Sequence, residues 1–475
     1  MSGILRIEAR HLARSPLLWL GFAVAAWAIA TELWQYWPTL TGEALLAYST
    51  GFIGGAGAVW AGAWLGLRDR VSGAADLVTV TPTAPWRLWR ARLGGVAVVA
   101  AGAYAVLFAA TLTVSAARGG HGTPDLRLLA DGALAVVLSG LVGVAVGRLS
   151  GSRAAALLAG PVWFVLCMVA GDPWGHRLSP ALIQTGSLSA EFGLLPDPLW
   201  PHLGYLLGLV LLVGVLLLIL AARGGGQRPL LAPTLAAAVA GLLLVGAGGA
   251  RLAALPEAVV PLGPERADWK PIPEADRVLS DPSYAYPEDG RATSCAGDAP
   301  SVCVYPAYGT GLARHVHETV QPVAGLLGGL PGVPTRVRMV PVGDAICHGG
   351  EVQMGEQGLR FLQPSRALAA SYLTCVLGQS DTAEPFERSA GDVRDVVKLW
   401  ALLAAGAVTS QELQRASDSD LWQLGLPGDR PPPALAPALA MAALPVDRVR
   451  AELAPRWERL RAGTLPVSEL PGQRP

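Results

Sequence analysis

Seven stretches of this chain are too long and too apolar for an ordinary soluble core. They cover about 16–37, 44–67, 93–117, 128–147, 154–171, 202–222 and 229–250. About 20 apolar residues in a helix cross the ~30 Å hydrocarbon layer of a bilayer. A helix also satisfies its own backbone hydrogen bonds there, where water cannot. The pattern predicts a polytopic α-helical membrane protein of about seven transmembrane helices. Composition agrees, since 52% of the 475 residues are hydrophobic and only 15% are charged. The fifth stretch is short and contains Gly160-Pro161, so a kinked or partly re-entrant course is the alternative there.

Charge distribution sets the expected orientation. Arginine-rich segments stay in the cytoplasm. With the N-terminus inside, segments 1–15, 68–92, 148–153 and 223–228 carry twelve basic residues; the short outside segments 38–43, 118–127 and 172–201 carry three. The expectation is a multi-pass plasma-membrane protein with a cytoplasmic N-terminus. Seven crossings put everything after residue 250 outside the cell. No charge falls mid-span: Glu32 and Asp131 lie near span ends, which speaks against the buried ion relays of proton- or sodium-driven carriers. Gly51/Gly55, Gly62/Gly66, Gly143/Gly147 and Gly204/Gly208 stand four apart, a spacing that lets helices pack closely in lipid.

Residues 1–15 place Arg6, Arg10 and Arg14 on one helical stripe beside Leu5, Ala9 and Leu12. That predicts an amphipathic helix on the inner membrane surface; a charged flank that merely fixes the first span is the competing reading. Segment 68–92 holds Arg68, Arg70, Arg87, Arg90 and Arg92, and is far longer than a connection needs. A short helix is expected from about Gly73 to Thr79, ending before Thr81-Pro82 because the residue preceding proline leaves the helical region. The segment reads as a docking surface or as an arginine-rich loop that only sets orientation. Loop 172–201 carries proline and glycine at both ends around a possible interfacial helix.

Residues 251–290 are proline-rich and unpatterned, as in a linker. An extracytoplasmic α+β domain is expected over 291–475. Its strands are Ser301–Tyr305 and Thr335–Val342, and its helices cover 309–328, 364–377, 385–405, 409–424 and 445–462. Four of the five cysteines, Cys295, Cys303, Cys347 and Cys375, lie there. An even number in an oxidising compartment predicts two disulfides. Three pairings are open; Cys295–Cys303 and Cys347–Cys375 are favoured, because 295 and 303 flank a turn-rich stretch.

Catalytic signals are weak. His317-Glu318 lacks the second histidine one turn on that a zinc-protease helix needs, Gln321 standing there. Cys347-His348 lacks further ligands. The only lysines, Lys270 and Lys398, sit in no phosphate-loop context. Neither an enzyme activity nor a cofactor in this chain is expected, and no basic, aromatic-interleaved stripe points to nucleic acid.

Two sets of motifs resemble a known family. In the membrane half they are Leu5-Arg6-Ile7-Glu8-Ala9-Arg10 before Ser15-Pro16-Leu17-Leu18-Trp19, and Arg68-Asp69-Arg70-Val71-Ser72-Gly73 leading to Asp76-Leu77 and Thr81-Pro82. In the C-terminal half they are Val302-Cys303-Val304-Tyr305-Pro306-Ala307-Tyr308 and the closing Trp457 to Leu470-Pro471. Together they resemble the type-2 permease subunit of ATP-binding-cassette (ABC) exporters, and more narrowly actinobacterial permease-like membrane proteins with an appended extracytoplasmic domain. The resemblance implies a coupling helix within 68–92, contacting a separate ABC ATPase subunit through Arg68, Arg70, Gly73, Asp76, Leu77, Thr81 and Pro82. It also implies an inner-surface helix over 2–15 and a homodimer or heterodimer with a related permease in the bilayer. The seventh span departs from the usual six. The competing expectation is a membrane anchor for an extracytoplasmic binding or hydrolase-like domain.

Overall fold

The computed structural model describes residues 2–34, 38–71, 85–120, 122–169, 199–223, 231–254, 294–304, 308–340, 346–348, 351–355, 365–379, 392–426 and 432–473. The chain divides into two compact units, residues 1–33 with 38–261, and residues 34–37 with 262–475.

The first unit is helical: α1 Ser2–Ala13, α2 Pro16–Leu33, α3 Leu40–Ser49, α4 Gly51–Val71, α5 Pro85–Ala117, α6 Leu126–Ser150, α7 Arg153–Val169, α8 Leu199–Arg223 and α9 Leu231–Ala253. Six helical segments among the described residues are long and apolar enough to cross a membrane; α7, with 17 residues, is shorter. The second expected span is built from α3 and α4, which meet at Thr50. There the Thr50 hydroxyl donates to the Leu46 carbonyl (2.7 Å), a back-bond that bends helices. Asp125 caps α6 by accepting from the Arg127 amide (2.9 Å), and Gly151 ends it in the left-handed conformation (φ 59°).

Lipid is as apolar as leucine, so close packing rather than water exclusion holds such helices together. Val96, Ala100, Tyr104 and Phe108 recur every four residues along α5 and are all buried. The α4–α6 seam is made by two of the four expected glycine pairs, facing each other. A β-carbon on Gly62 or Gly66 would run into the Gly140 or Val144 carbonyl of α6, and one on Gly143 or Gly147 into the Val59 or Ala63 carbonyl of α4. Gly204, by contrast, has nothing within 4 Å of its β-position.

Helix α7 runs through Pro161 without breaking. Proline has no N–H, so the Leu157 carbonyl loses its usual donor. The Trp60 indole N–H of α4 donates to that carbonyl instead, which is how the helix continues.

The second unit is α+β. Strands β1 Ser294–Ala296, β2 Ser301–Val304, β3 Arg336–Val340, β4 Ile346–His348 and β5 Glu351–Gly355 form one sheet in the order β1-β2-β3-β5-β4. The β2–β3 and β3–β5 pairs are parallel, and the two outer pairs are antiparallel. Helix α10 (Gly309–Leu327) links β2 to β3 and buries Leu312, Val316, Val320, Val323 and Leu327, one face of a helix. The helical remainder comprises α11 Ser365–Val376, α12 Val393–Ala404, α13 Ser410–Arg415, α14 Asp418–Gln423, α15 Leu435–Ala442, α16 Val446–Leu453 and α17 Trp457–Arg461.

The expected helix 409–424 is two helices, since Ser417 and Asp420 start a new cap. The Ser417 hydroxyl donates to Asp420 (2.6 Å) and also accepts from its amide (3.2 Å). The expected helix 445–462 is interrupted by a 3₁₀ turn at Ala454–Arg456, where Pro455 sits. Strands β1, β4 and β5 and helix α15 were not expected from the sequence. The first three residues of the expected 251–290 linker belong to α9; residues 255–290 of it, residues 385–391 of the expected helix 385–405, and loop 172–198 lie outside the described residues.

Candidate functional site

Helix α1 rests across the start of α5 at Gly94-Gly95. The β-position of Gly94 is 3.1 Å from Leu5 Cδ1, and that of Gly95 is 3.1 Å from the Ala9 nitrogen. The missing side chains set how near α1 comes, and they bring Glu8 inward until it is 4% exposed. Its Oε1 accepts from Arg68 Nη2 of α4 (2.9 Å) and from Arg92 Nε of α5 (3.3 Å). Arg92 is itself 2% exposed, while Arg68 is about one-third exposed.

Burying charge is costly unless partners compensate. Here Trp89 supplies a further one. Its buried ring lies under the Arg92 guanidinium (5.0 Å) and under that of Arg148 from α6 (4.2 Å), a cation–π arrangement. Arg148 Nη2 also donates to the Leu220 carbonyl in the last turn of α8 (3.0 Å). Five helices therefore meet at one charged node. Glu8 Oε2 has no hydrogen-bond partner among the described residues.

The node brackets segment 72–84. Helix α4 ends one turn after Arg68, and α5 begins two turns before Arg92. One carboxylate on α1 thus holds both flanks of the segment. Of the arginines read as a docking surface, Arg68 and Arg92 are committed to Glu8. Arg87 and Arg90 stay exposed, with their guanidinium groups 5.5 and 5.4 Å from the Trp86 ring. Gly73, Asp76, Leu77, Thr81 and Pro82, with the expected helix over 73–79, lie outside the described residues, as does the side chain of Arg70. Arg6 and Arg10 on the outward face of α1, and Arg14 just after it, are exposed and do not join the node.

Toward the other end of the bundle lies a second polar cluster. Asp131 Oδ2 accepts from the Tyr48 hydroxyl of α3 (2.6 Å) and lies 2.7 Å from His202 Nδ1 of α8. Asp131 and His202 are wholly buried and Tyr48 nearly so. Asp131 Oδ1 has no hydrogen-bond partner among the described residues. Asp131 and Arg148 are 17 residues apart on α6, about 25 Å along a helix, so the two polar clusters pin opposite ends of the same helix. Asp131 lies near the end of its helix, as read from the sequence, but it is buried against its neighbours and paired with the histidine of another helix.

In the second unit Cys295 and Cys303 form a disulfide between directly opposed residues of β1 and β2. Cys375 is disulfide-bonded as well; the side chain of Cys347 lies outside the described residues. Cys167 is a free, buried thiol. His317 Nδ1 lies 3.0 Å from the Pro300 carbonyl, a structural bond. Among the described residues no group of three or more His, Cys, Asp or Glu side chains gathers as a metal site would require. Lys398 is buried in α12, with Nζ donating to the Gly425 carbonyl (3.3 Å). Comparison of the chain with protein-family models, curated proteins and solved structures finds no match.

Proposed function

We propose that this chain is the membrane-spanning permease subunit of an exporter, driven by ATP hydrolysis on a separate subunit that docks on segment 68–92. The observation that carries the reading is the Glu8 node. It ties both flanks of that segment to a surface helix and, through Trp89 and Arg148, to α6 and α8. A push on such a segment is passed to the bundle as a rigid displacement, because buried charge pairs resist separation. The chain contains no Gly-x-x-x-x-Gly-Lys-Ser/Thr phosphate loop, which fits energy supplied in trans. In this reading α7 is a seventh crossing, the second unit is extracytoplasmic, and the complete transporter pairs this chain with a second copy or a related permease.

The test is purification from native membranes in mild detergent, with mass spectrometry of bound partners. The expected result is a stoichiometric ATPase that is lost when Asp76 and Leu77 are both changed to alanine, while the permease itself stays folded. Absence of any ATPase under several mild conditions would overturn the reading. It would favour the anchor alternative, which draws on the self-contained core of the second unit around Val302, Val337, Tyr372, Trp400 and Trp457.

A further inference from the structure

Helix α1 separates its charges by sign. Glu8, its one acidic residue, faces inward and is held by Arg68 and Arg92. Arg6, Arg10 and Arg14 stand four apart and face outward, exposed. Among the described residues none of these three arginines has an ion-pair partner. Four arginines of the bundle differ: Arg92, Arg118, Arg127 and Arg148 each have a carboxylate, a carbonyl or an aromatic ring. The outward face of α1 is therefore a strip of positive charge that the described protein leaves unneutralised.

The same face is not purely polar. Ile7, between Arg6 and Arg10, is 56% exposed. Only Arg14 and Ser15 separate α1 from α2, whose first turns expose Trp19 and Leu20. The Trp19 indole N–H donates to the Ala13 carbonyl (2.6 Å), which holds that ring at the end of α1. The arginine strip thus runs directly into the apolar outer surface of a membrane-spanning helix. A tryptophan at such a junction marks the depth of the lipid headgroups.

We propose that the outward face of α1, continued by Arg14 just after it, binds the anionic headgroups of bilayer lipids, with Arg6, Arg10 and Arg14 as the contacts and Ile7 seated among the upper acyl chains. The arginines alone would suit any anion. Ile7 and the continuous run into Trp19 and Leu20 single out a lipid, which offers phosphate and hydrocarbon together. The inference requires that the helical unit lies in a membrane; it does not depend on transport or on an ATPase.

The test uses the full chain reconstituted in phosphatidylcholine bilayers, with spin-labelled phosphatidylglycerol or spin-labelled phosphatidylcholine as probes. Electron paramagnetic resonance reads the fraction of each probe immobilised by the protein. The wild type is expected to immobilise the anionic probe preferentially, with a preference that falls as salt rises. Each arginine contributes up to about fivefold. R6Q/R10Q/R14Q should lose most of the preference, and R6K/R10K/R14K, which keeps the charge, should retain it. Single R10Q should lose part, which keeps the test decisive if the triple glutamine variant fails to fold.

Equal selectivity in wild type and the glutamine variants would overturn the proposal. So would full displacement of the labelled lipid by inorganic phosphate, which would make the strip a free-anion site. A third contrary result is loss of a bound protein partner with unchanged lipid selectivity, which would make the face a protein contact. None of these outcomes is set by whether an ATPase docks on segment 68–92, so this inference and the transport reading fail separately.

Discussion

Single residues decide how charge is tolerated inside the bundle. Asp131 meets His202 and Tyr48 with all three side chains sealed from solvent. Removing one partner of a buried pair strands the other, at a cost of about 3–5 kcal/mol, whereas removing both together can cost much less. H202Q alone is therefore expected to destabilise the full chain severely in detergent, and D131N/H202Q to recover a large part of the loss. Thermal unfolding of the two single variants and the double one measures this directly; strictly additive losses would show that the residues do not act as a pair.

In the second unit, the Thr409 hydroxyl and amide donate to Glu412 (2.8 and 2.7 Å), and the Ser417 hydroxyl and amide donate to Asp420 (2.6 and 2.9 Å). These bonds hold both carboxyls below their ordinary values. A carboxyl lowered in the folded state stabilises fully above its unfolded value, about 4, and loses that contribution as pH falls through the folded value. T409V and S417A are expected to shrink the loss of stability on acidification below about pH 4. An acid-unfolding curve identical in slope to that of the wild type would count against this origin.

At the scale of whole helices and strands, what was legible in the sequence was whatever repeats locally. Long apolar runs announced the spanning helices, and the four-residue glycine spacings of α4 and α6 announced a close seam, although nothing in them said that each would face the other. The links between elements were not legible. Glu8 lies 60 and 84 residues from Arg68 and Arg92, and no periodicity connects such positions. The hint was only that a single acid stood among three arginines on a short helix. Strand β4, three residues long, carries too few residues for a period to emerge, and it owes its pairing to the sheet.

Pro161 shows the same division. Its sequence left a kinked or partly re-entrant course open as an alternative, and the donor that satisfies the freed carbonyl comes from Trp60, 97 residues before Leu157 in the chain. W60F keeps the ring and deletes the donor, leaving the Leu157 carbonyl unpaired at about 1–3 kcal/mol. The expected loss should disappear when P161A restores the helical N–H in the W60F background. Thermal unfolding of that pair of variants is the check, and failure of P161A to rescue would assign the Trp60 effect to packing alone.

For the whole molecule, parity links the two units. Twelve basic residues against three favour a cytoplasmic N-terminus. The Cys295–Cys303 disulfide independently suits an oxidising exterior for the second unit. Both hold only if the chain crosses the membrane an odd number of times. Six helical segments among the described residues are long and apolar enough to cross, so α7 is the deciding element. Its 17 residues extend about 25 Å at 1.5 Å per residue, a few ångströms short of the ~30 Å hydrocarbon layer. A short span is accommodated by local thinning of the bilayer at a cost of a fraction of a kcal/mol per ångström. Charge alone does not decide it, since of the segments expected inside only residues 223–228 would change sides if α7 did not cross. But α6 and α8 run the same way, with His202 beside Asp131 at one end and the Leu220 carbonyl beside Arg148 at the other. The chain must therefore change sides between them, which favours a crossing by α7. Protease added to intact cells is accordingly expected to remove an epitope placed at the C-terminus and to spare one placed at the N-terminus, with both lost once the membrane is opened. Protection of both epitopes in intact cells would mean an even number of crossings, with α7 not spanning and the disulfide formed on the cytoplasmic side.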